Sequence, residues 1–263
     1  MKNAFRALTL AFVFVAFLTA CGTGTTPTPV AAETATSAPV PLPTAAPSDP
    51  CANVYYPVQP NTRWVYSSTG SPSGPYEFVE KINEVRPDGF ILSSQFRKVP
   101  SSIEWACRPE GLVPLAMIVD NATSILAFQK LSDVKVTNIT GSVIPPTMTP
   151  GMQWNYAIDV EAAQKAQSGA TSPVTGHIAA AYTAGNMESI TVPAGTYDTI
   201  AVNVKMTIDF VVKGPDGDSK INLNSDYTYW YAAGVGWVKA SGNGNLGGQE
   251  YFETLVLTAF NSQ

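Results

Sequence analysis

A clear alternation of apolar and polar side chains in the run Thr196 to Lys213 limits the possible folds of this chain more than any other feature of its sequence. Six apolar residues occupy every second position and point to one side of an extended chain: Ile200, Val202, Val204, Met206, Ile208 and Phe210. Four polar residues between them point to the other side: Asn203, Lys205, Thr207 and Asp209. Because side chains alternate between the two faces of a strand, the run predicts a strand with one buried and one wet face, as is typical of antiparallel sheets.

The same chemistry recurs along the rest of the chain after Pro50, where short segments rich in Val, Ile, Thr, Tyr and Phe are separated by Gly, Pro, Asn and Asp. The pattern predicts strands over Arg63–Ser67, Tyr76–Val85, Phe90–Phe96, Ile103–Cys107, Leu112–Ile118, Val134–Ile139, Gln153–Ile158, Val174–Ala184, Thr196–Val212, Ile221–Tyr231, Trp237–Ala240 and Tyr251–Ala259. Residues Ala122–Lys130 and Val160–Gln167 are also compatible with short helices. We expect an all-β fold of antiparallel curved sheets, arranged as a sandwich or an open barrel.

Two motifs occur twice in the same order. Pro60–Tyr66 and Pro150–Tyr156 share the pattern P-x-x-x-W-x-Y, and Trp105 and Trp230 each lie six residues before a glycine that could open a hairpin. The repetition predicts a duplicated β unit. The alternative is a chance similarity, since the matched segments are short and made of common strand and turn residues.

The first twenty residues predict a secretory signal. Lys2 and Arg6 precede the apolar run Ala7–Phe17, which is shorter than the roughly 20 residues that a membrane-spanning helix needs. Leu18-Thr19-Ala20-Cys21 then resembles the lipobox of bacterial lipoproteins. The resemblance implies cleavage before Cys21 and attachment of fatty acyl chains, such as palmitate, to that residue. The alternative is an ordinary signal peptide followed by a chance cysteine.

Residues 22–50 are dominated by Thr, Pro and Ala and contain two charged residues, Glu33 and Asp49. Such a segment buries too little apolar surface to offset its ordering entropy, and its prolines favour an extended spacer. We therefore expect a signal peptide over 1–20, a lipidated disordered tether over 21–50 and a β-rich extracytoplasmic domain over 51–263, with halves at 51–145 and 146–263. The expected location is the outer face of a cell membrane, held by the lipid on Cys21.

Charge and cysteine content restrict the partners of this domain. The chain has a net charge of -5, a pI near 4.9 and no basic stripe, so we expect no nucleic-acid partner. Cys51 and Cys107 remain after Cys21 is assigned to the lipid, and exported cysteine pairs usually form disulfides. Two free thiols are the alternative. We expect no metal or cofactor, because two cysteines and one histidine do not supply a zinc site.

The sequence contains no convincing catalytic motif. His177 lies within a predicted strand, and no G-x-S-x-G elbow supplies a serine for it. Ser132–Lys135 matches S-x-x-K but lacks the K-T-G that accompanies it in known enzymes. Lys213–Lys220 and Gly242–Gly248 both read as turns, since Pro-Asp-Gly is turn chemistry and the glycine-rich segment precedes no helix. We therefore expect a protein that is not an enzyme.

Tyr227, Tyr229 and Tyr231 alternate along one face of a predicted strand and are the candidate ligand-binding residues. On a solvent-exposed face they could bind a sugar or a peptide. In the core they would pack across neighbouring strands.

The opening Trp-x-Tyr strand, the turn Val192–Tyr197 and the hairpin segment Trp230–Gly236 resemble features of uncharacterised bacterial extracytoplasmic β-sheet proteins. The resemblance implies a curved sheet and no particular activity. We expect a non-catalytic binding or interaction module of the cell envelope, with an apolar, glycan or protein ligand. A structural envelope component without a small ligand is the alternative, and an unrecognised hydrolase is a more remote one.

Overall fold

A computed structural model describes residues 49–71, 74–96, 99–118, 128, 131–165, 169–215, 217–246 and 249–262. They lie within one compact unit, Ala45–Gln263. The expected signal peptide and nearly all of the expected tether lie outside the described residues.

All elements whose bounds lie in the described chain are strands. Their bounds are β1 Arg63–Thr69, β2 Tyr76–Arg86, β3 Gly89–Phe96, β4 Val99–Arg108, β5 Gly111–Pro114, β6 Leu131–Gly141, β7 Gln153–Lys165, β8 Thr171–Val192, β9 Gly195–Val212, β10 Ser219–Ala232, β11 Gly236–Leu246 and β12 Gln249–Asn261. The prediction of an all-β antiparallel fold is confirmed, and a strand occurs at each predicted place. No helix among the described residues has the length and hydropathy needed to cross a membrane.

The strands form a single antiparallel sheet whose spatial order follows the sequence, except that β1 pairs with β12. The complete order is β5-β4-β3-β2-β1-β12-β11-β10-β9-β8-β7-β6. This sheet curls into a nearly closed barrel shape, with its two edge strands, β5 and β6, on either side of the opening. The fold is therefore an open barrel and not a sandwich.

The opening is bridged at one point beside β5. Leu112 N–H donates to the carbonyl of Ile144 at 2.8 Å, three residues after β6 ends, and Val143 N–H donates to the carbonyl of Leu112 at 3.1 Å. Gly111 permits this approach, because a Cβ at that position would overlap the carbonyl oxygen of Ile144. Pro145 and Pro146 follow and have no N–H, so the ladder cannot continue.

The alternating pattern decides which side chains fill the barrel-shaped sheet. In β9, Ile200, Val202, Ile208 and Phe210 are buried while Lys205, Thr207 and Asp209 are exposed, as predicted. The strand β7 continues to Lys165 and pairs with β8 along its length, so the helical alternative for Val160–Gln167 is wrong over Val160–Lys165. Its last residues lie outside the described part, as does all of Ala122–Lys130 except Phe128, which is helical.

The two Trp-x-Tyr segments begin with the same turn, which supports the duplicated unit. In each turn the residue after proline, Asn61 or Gly151, has a positive φ of 65° or 83°. In the first half the N–H of this residue donates to the carbonyl of Ile82 in β2 at 2.9 Å. In the second half it donates to the carbonyl of Ala184 in β8 at 2.8 Å. Asparagine and glycine are the residues that adopt this left-handed conformation most readily.

The tyrosines of the two motifs make similar hydrogen bonds to backbone carbonyls of more distant strands. Tyr66 of β1 donates to the carbonyl of Trp237 in β11, and Tyr156 of β7 donates to the carbonyl of Pro114 in β5, both at 3.1 Å. In sheet order β11 lies two places from β1, with β12 between them, whereas β5 and β7 lie towards opposite ends of the order, so the Tyr156 hydrogen bond crosses the opening of the sheet. The β1–β6 and β7–β12 segments are thus related by a repeated arrangement.

The tryptophans of the second motif, Trp105 and Trp230, do not occupy equivalent positions in the two halves. Trp105 is buried, whereas Trp230 is half-buried and points outward, where its Nε1 donates to Glu188 at 2.6 Å. The β4–β5 turn contains residues 109–110, but the β10–β11 turn contains residues 233–235. The extra residue shifts the register by one, and a shift by one moves a side chain to the other face.

Candidate functional site

A cavity of about 80 Å³ lies inside the sheet, among residues of β2, β3, β4 and β8–β11 and the segments beside β1 and β6. Aliphatic side chains share its wall with seven aromatic ones: Tyr56, Trp105, Tyr182, Tyr227, Tyr229, Tyr231 and Trp237. A water molecule in the liquid occupies about 30 Å³, so the cavity holds a few waters or a molecule of a few non-hydrogen atoms. Typical pockets for drug-sized ligands are larger, at about 300–1,000 Å³.

The three tyrosines predicted as a candidate site lie on the inner face of β10. Tyr227, Tyr229 and Tyr231 are only 2%, 8% and 6% exposed, so the solvent-exposed arrangement considered for them is wrong. Successive rings are tilted, with centroids 6.1 and 6.3 Å apart. Although they are buried, these tyrosines can still contact a ligand, because all three line the cavity.

Residues 51–56, here called the N-terminal plug, contribute Tyr56 to the cavity wall. The side-chain oxygen of Asn53 accepts the N–H groups of Tyr55 at 2.9 Å and Tyr56 at 3.1 Å, which folds the plug into a compact turn. Its amide donates to Pro145 at 2.9 Å, and the carbonyl of Val54 accepts from Gly234 at 2.8 Å. The plug therefore joins the β10–β11 turn to the segment after β6.

A disulfide between Cys51 and Cys107 attaches the plug to β4, with the two Cα atoms 5.0 Å apart. The predicted pairing is thereby confirmed. The bridge closes a loop with a sequence separation of 56 residues.

Tyr56 enters the aromatic core from the plug. Its ring stacks at 5.0 Å from Trp64, and it lies at 6.0 Å from Phe90 and 6.3 Å from Trp105. Burial raises the pKa of Tyr56 well above its ordinary value, and the nearby Glu80 carboxylate adds to the shift. The hydroxyl therefore stays protonated and can donate a hydrogen bond.

Two buried polar atoms on the cavity wall, Tyr56 Oη and Trp105 Nε1, have no hydrogen-bond partner among the described residues. Tyr56 is 3% exposed and Trp105 is 5% exposed. Buried polar groups in native proteins are nearly always paired, with the protein itself, with water or with a ligand. The cavity is the space these residues border.

Glu80 also lines the cavity and is 7% exposed. It occupies an inward position of β2, in the alternating series Tyr76, Phe78, Glu80 and Ile82. Glu80, Tyr56 and Trp105 were not predicted as site residues from the sequence. For Glu80 a signal existed, because a carboxylate on an otherwise apolar strand face is unusual.

A second buried carboxylate, Glu253 of β12, lies next to this site in the core. Its Oε1 accepts from Ser68 Oγ at 2.7 Å and Tyr76 Oη at 2.6 Å, and its Oε2 accepts from Tyr227 Oη at 3.2 Å. Tyr227 thus belongs both to this hydrogen-bonded group and to the cavity wall. The arrangement fixes the orientation of one wall residue.

His177 lies on the outer face of the sheet, away from the cavity-lining residues. Its Nδ1 is 2.7 Å from Asp159 Oδ1, and hydrogen bonds from His177 and Asn138 hold the pKa of Asp159 below its ordinary value. Directly across β9, Asp209 is its register partner. Within the described ranges, no group of three or more His, Cys, Asp or Glu side chains is placed to bind a metal ion.

Two of the remaining motifs lie at exposed positions. Ser132 is on the edge strand β6, where its hydroxyl lies 3.1 Å from Asp133 Oδ2. Lys213 and Asp218 form an ion pair of 2.5 Å between β9 and β10, in agreement with the predicted turn.

The prediction of a turn over Gly242–Gly248 is wrong for residues 242–246, which belong to β11. Gly242 lies against β10, and a Cβ at this glycine would collide with the backbone carbonyl oxygen of Asp226 and with the Cα and ring of Tyr227. The glycine permits close approach of the neighbouring strand and does not mark a turn.

Comparisons with known proteins agree with this fold. A structure from Parabacteroides distasonis, provisionally described as a lipoprotein, is 17% identical with a TM-score of 0.50, covering 80% of this chain and 99% of its own. That similarity shows a shared fold. A Bacteroides fragilis structure, provisionally described as an exported protein with a YmcC-like fold, is 14% identical with a TM-score of 0.49, covering 80% and 100%. The hypothetical lipoprotein YmcC from Escherichia coli is 10% identical with a TM-score of 0.34, covering 78% and 86%.

No curated protein sequence matches the chain. The model of the DUF3108-like family matches residues 110–248, which are more than half of the sequence and include β5 to β11. The chain therefore belongs to the DUF3108-like family.

Proposed function

We propose that this chain is a lipid-anchored protein of the bacterial cell envelope whose domain over 51–263 is a non-catalytic binding module. Its ligand site is the cavity, and Tyr227, Tyr229 and Tyr231 form part of the wall. The observation that carries this proposal is the pair of buried donors, Tyr56 Oη and Trp105 Nε1, whose hydrogen bonds the described fold does not complete.

The location is inferred from the N-terminal sequence. A basic and apolar leader ends at Leu18-Thr19-Ala20-Cys21, and fatty acyl chains on Cys21 would contribute about 0.8 kcal/mol for each buried methylene group. The similar structure from Parabacteroides distasonis is provisionally described as a lipoprotein, which is in keeping with this anchor. The disulfide fits an oxidising compartment.

The anchor is tested by Cys21→Ser. We expect the wild-type chain in the membrane fraction, with an intact mass that includes acyl groups, and the variant in soluble or unprocessed form. Cys107→Ser serves as a control for loss of a cysteine, since it should leave the membrane attachment unchanged. Equal fractionation of wild type and Cys21→Ser would contradict the lipid anchor.

The binding role is tested by native mass spectrometry of the full chain, extracted from its own host in a mild non-ionic detergent. Ala180 of β8 lines the cavity, and its neighbour Ala181 is exposed on the outer face. We expect a small bound molecule on wild type and on Ala181→Leu, but not on Ala180→Leu, where the larger side chain fills the cavity. A molecule that remains on all three proteins would place the ligand elsewhere.

A structural envelope component without a small ligand is the second candidate, and the small volume of the cavity favours it. If wild type carries no bound molecule, we expect ordered water to accept the hydrogen bonds of Tyr56 Oη and Trp105 Nε1. A structural role then explains the cavity better than ligand binding does.

A further inference from the structure

The cavity wall has the composition of a cation-binding site. Rings from the plug, β4, β8, β10 and β11 border it, and the faces of Trp and Tyr rings carry the negative side of the ring quadrupole. No lysine, arginine or histidine of the described chain lines the cavity. Ammonium groups are the ligands that such aromatic surroundings favour most.

Glu80 is the one carboxylate among the described lining residues. Because Glu80 is only 7% exposed, bulk solvent screens its charge far less than that of a surface carboxylate. A carboxylate that keeps hydrogen bonds within the fold still presents negative potential to the space beside it. A positive group in the cavity would therefore gain from both the rings and Glu80.

The two buried donors, in contrast, require a hydrogen-bond acceptor on the ligand. Trp105 Nε1–H can only donate, and Tyr56 Oη–H can donate as well as accept. A ligand that satisfied them must carry an acceptor atom with a free lone pair, such as a hydroxyl or carbonyl oxygen. A molecule with only an ammonium group would leave the Trp105 donor without a partner.

We propose that the cavity binds a small organic ammonium compound that also carries an oxygen acceptor, with its ammonium group beside Glu80 and the rings and its oxygen towards Trp105 and Tyr56. This inference rests on the proposed binding function and names the ligand class. With room for a few non-hydrogen atoms, the whole molecule or one end of it is of the size of an amino alcohol.

Three probes with equal numbers of non-hydrogen atoms separate the contributions. Ethanolamine carries both groups, propanol replaces the ammonium by a methyl group, and propylammonium replaces the hydroxyl by a methyl group. The ceiling on affinity per atom limits the Kd of such a ligand to about 40 μM or weaker. Each probe is titrated into the isotope-labelled full chain in a non-ionic detergent, following the indole N–H resonance that Trp105→Phe removes from the NMR spectrum.

We expect ethanolamine to bind about tenfold more tightly than propanol, because a desolvated ammonium gains from the rings and the carboxylate. It should shift the Trp105 indole resonance downfield as the hydrogen bond forms, whereas propylammonium should not. Glu80→Gln should remove the preference for ethanolamine over propanol. Glu77→Gln, which changes an exposed carboxylate on the outer face of the same strand, should retain it.

Equal binding of ethanolamine and propanol, or a preference that survives in Glu80→Gln, would overturn the proposed ligand class. Failure of all three probes to shift the Trp105 resonance would overturn it as well. Native mass spectrometry then separates the two proposals: a molecule still bound to wild type leaves the binding function standing with a different ligand class, and an empty chain removes both.

Discussion

At the scale of single residues, Glu253 shows how a buried charge can be held in a core of aromatic side chains. It has no exposed surface and accepts hydrogen bonds from Ser68, Tyr76 and Tyr227. We expect Glu253→Ala to lower the free energy of unfolding by about 3 kcal/mol, because three buried hydroxyl groups would lose their acceptor. Urea unfolding at neutral pH measures the change.

Glu250 is the matched control, because it lies on the same strand but is exposed. Glu250→Ala should change the free energy of unfolding by less than about 0.5 kcal/mol. Equal losses in the two variants would show that the buried hydrogen bonds contribute little.

The buried tyrosines predict a loss of stability in alkali. Burial raises the pKa of Tyr56 and of Tyr66, and Glu80 adds to both shifts. The folded chain therefore holds these protons to a higher pH than the unfolded chain, whose tyrosines titrate near about 10. The two protonated tyrosines contribute fully to the free energy of unfolding below about pH 10. This contribution is lost as the pH rises from there through the folded-state pKa, by about 1.4 kcal/mol per pH unit for each tyrosine.

Tyr56→Phe should flatten the decline of unfolding free energy between about pH 10 and pH 11. At neutral pH the variant should lose little stability, since Tyr56 Oη has no partner among the described residues. Unfolding curves at several pH values test this, and a slope identical to that of wild type would contradict the assignment.

At the scale of elements, the N-terminal plug depends on the Cys51–Cys107 disulfide. Closing a loop with a separation of 56 residues stabilises the fold by about 4 kcal/mol in the chain-entropy model. We expect the double variant Cys51→Ala/Cys107→Ala to lose about that free energy of unfolding, and amide exchange to accelerate at Tyr55 and Tyr56 first.

Reduction of the wild-type chain under native conditions should give the same pattern of exchange. If the double variant keeps the exchange rates of the plug, the Asn53 hydrogen bonds alone are sufficient to hold it.

At the scale of the whole molecule, the β1–β12 and β6–β7 pairings join the two halves. A fragment over residues 49–145 would retain β1–β5 as a sheet but leave β6 without β7, its ladder partner. We expect this fragment not to unfold cooperatively, and an equimolar mixture with residues 146–262 to regain the near-ultraviolet circular dichroism of the intact chain. Cooperative melting of the first fragment alone would show that the halves are independent domains.

The strands of this protein were predictable because their signal is local: each alternation of apolar and polar residues selects a strand and its buried face without reference to the rest of the chain. The duplicated Trp-x-Tyr turns were predictable for the same reason. Local signals failed where a neighbouring strand decided the outcome, as with Gly242, which is a strand residue beside Tyr227, and Trp230, which one extra turn residue places on the outer face.

The sequence by itself determined the strand content, the buried face of β9 and the cysteines available to form a bridge in the domain. Only the tertiary structure decided that β1 pairs with β12, and that the resulting single sheet curls until Tyr56, Glu80, Trp105 and Tyr227 border one cavity. These four residues are far apart in sequence, and no periodicity relates them. Their proximity follows from the curvature of the sheet, which is a property of all its pairings together and of no single segment.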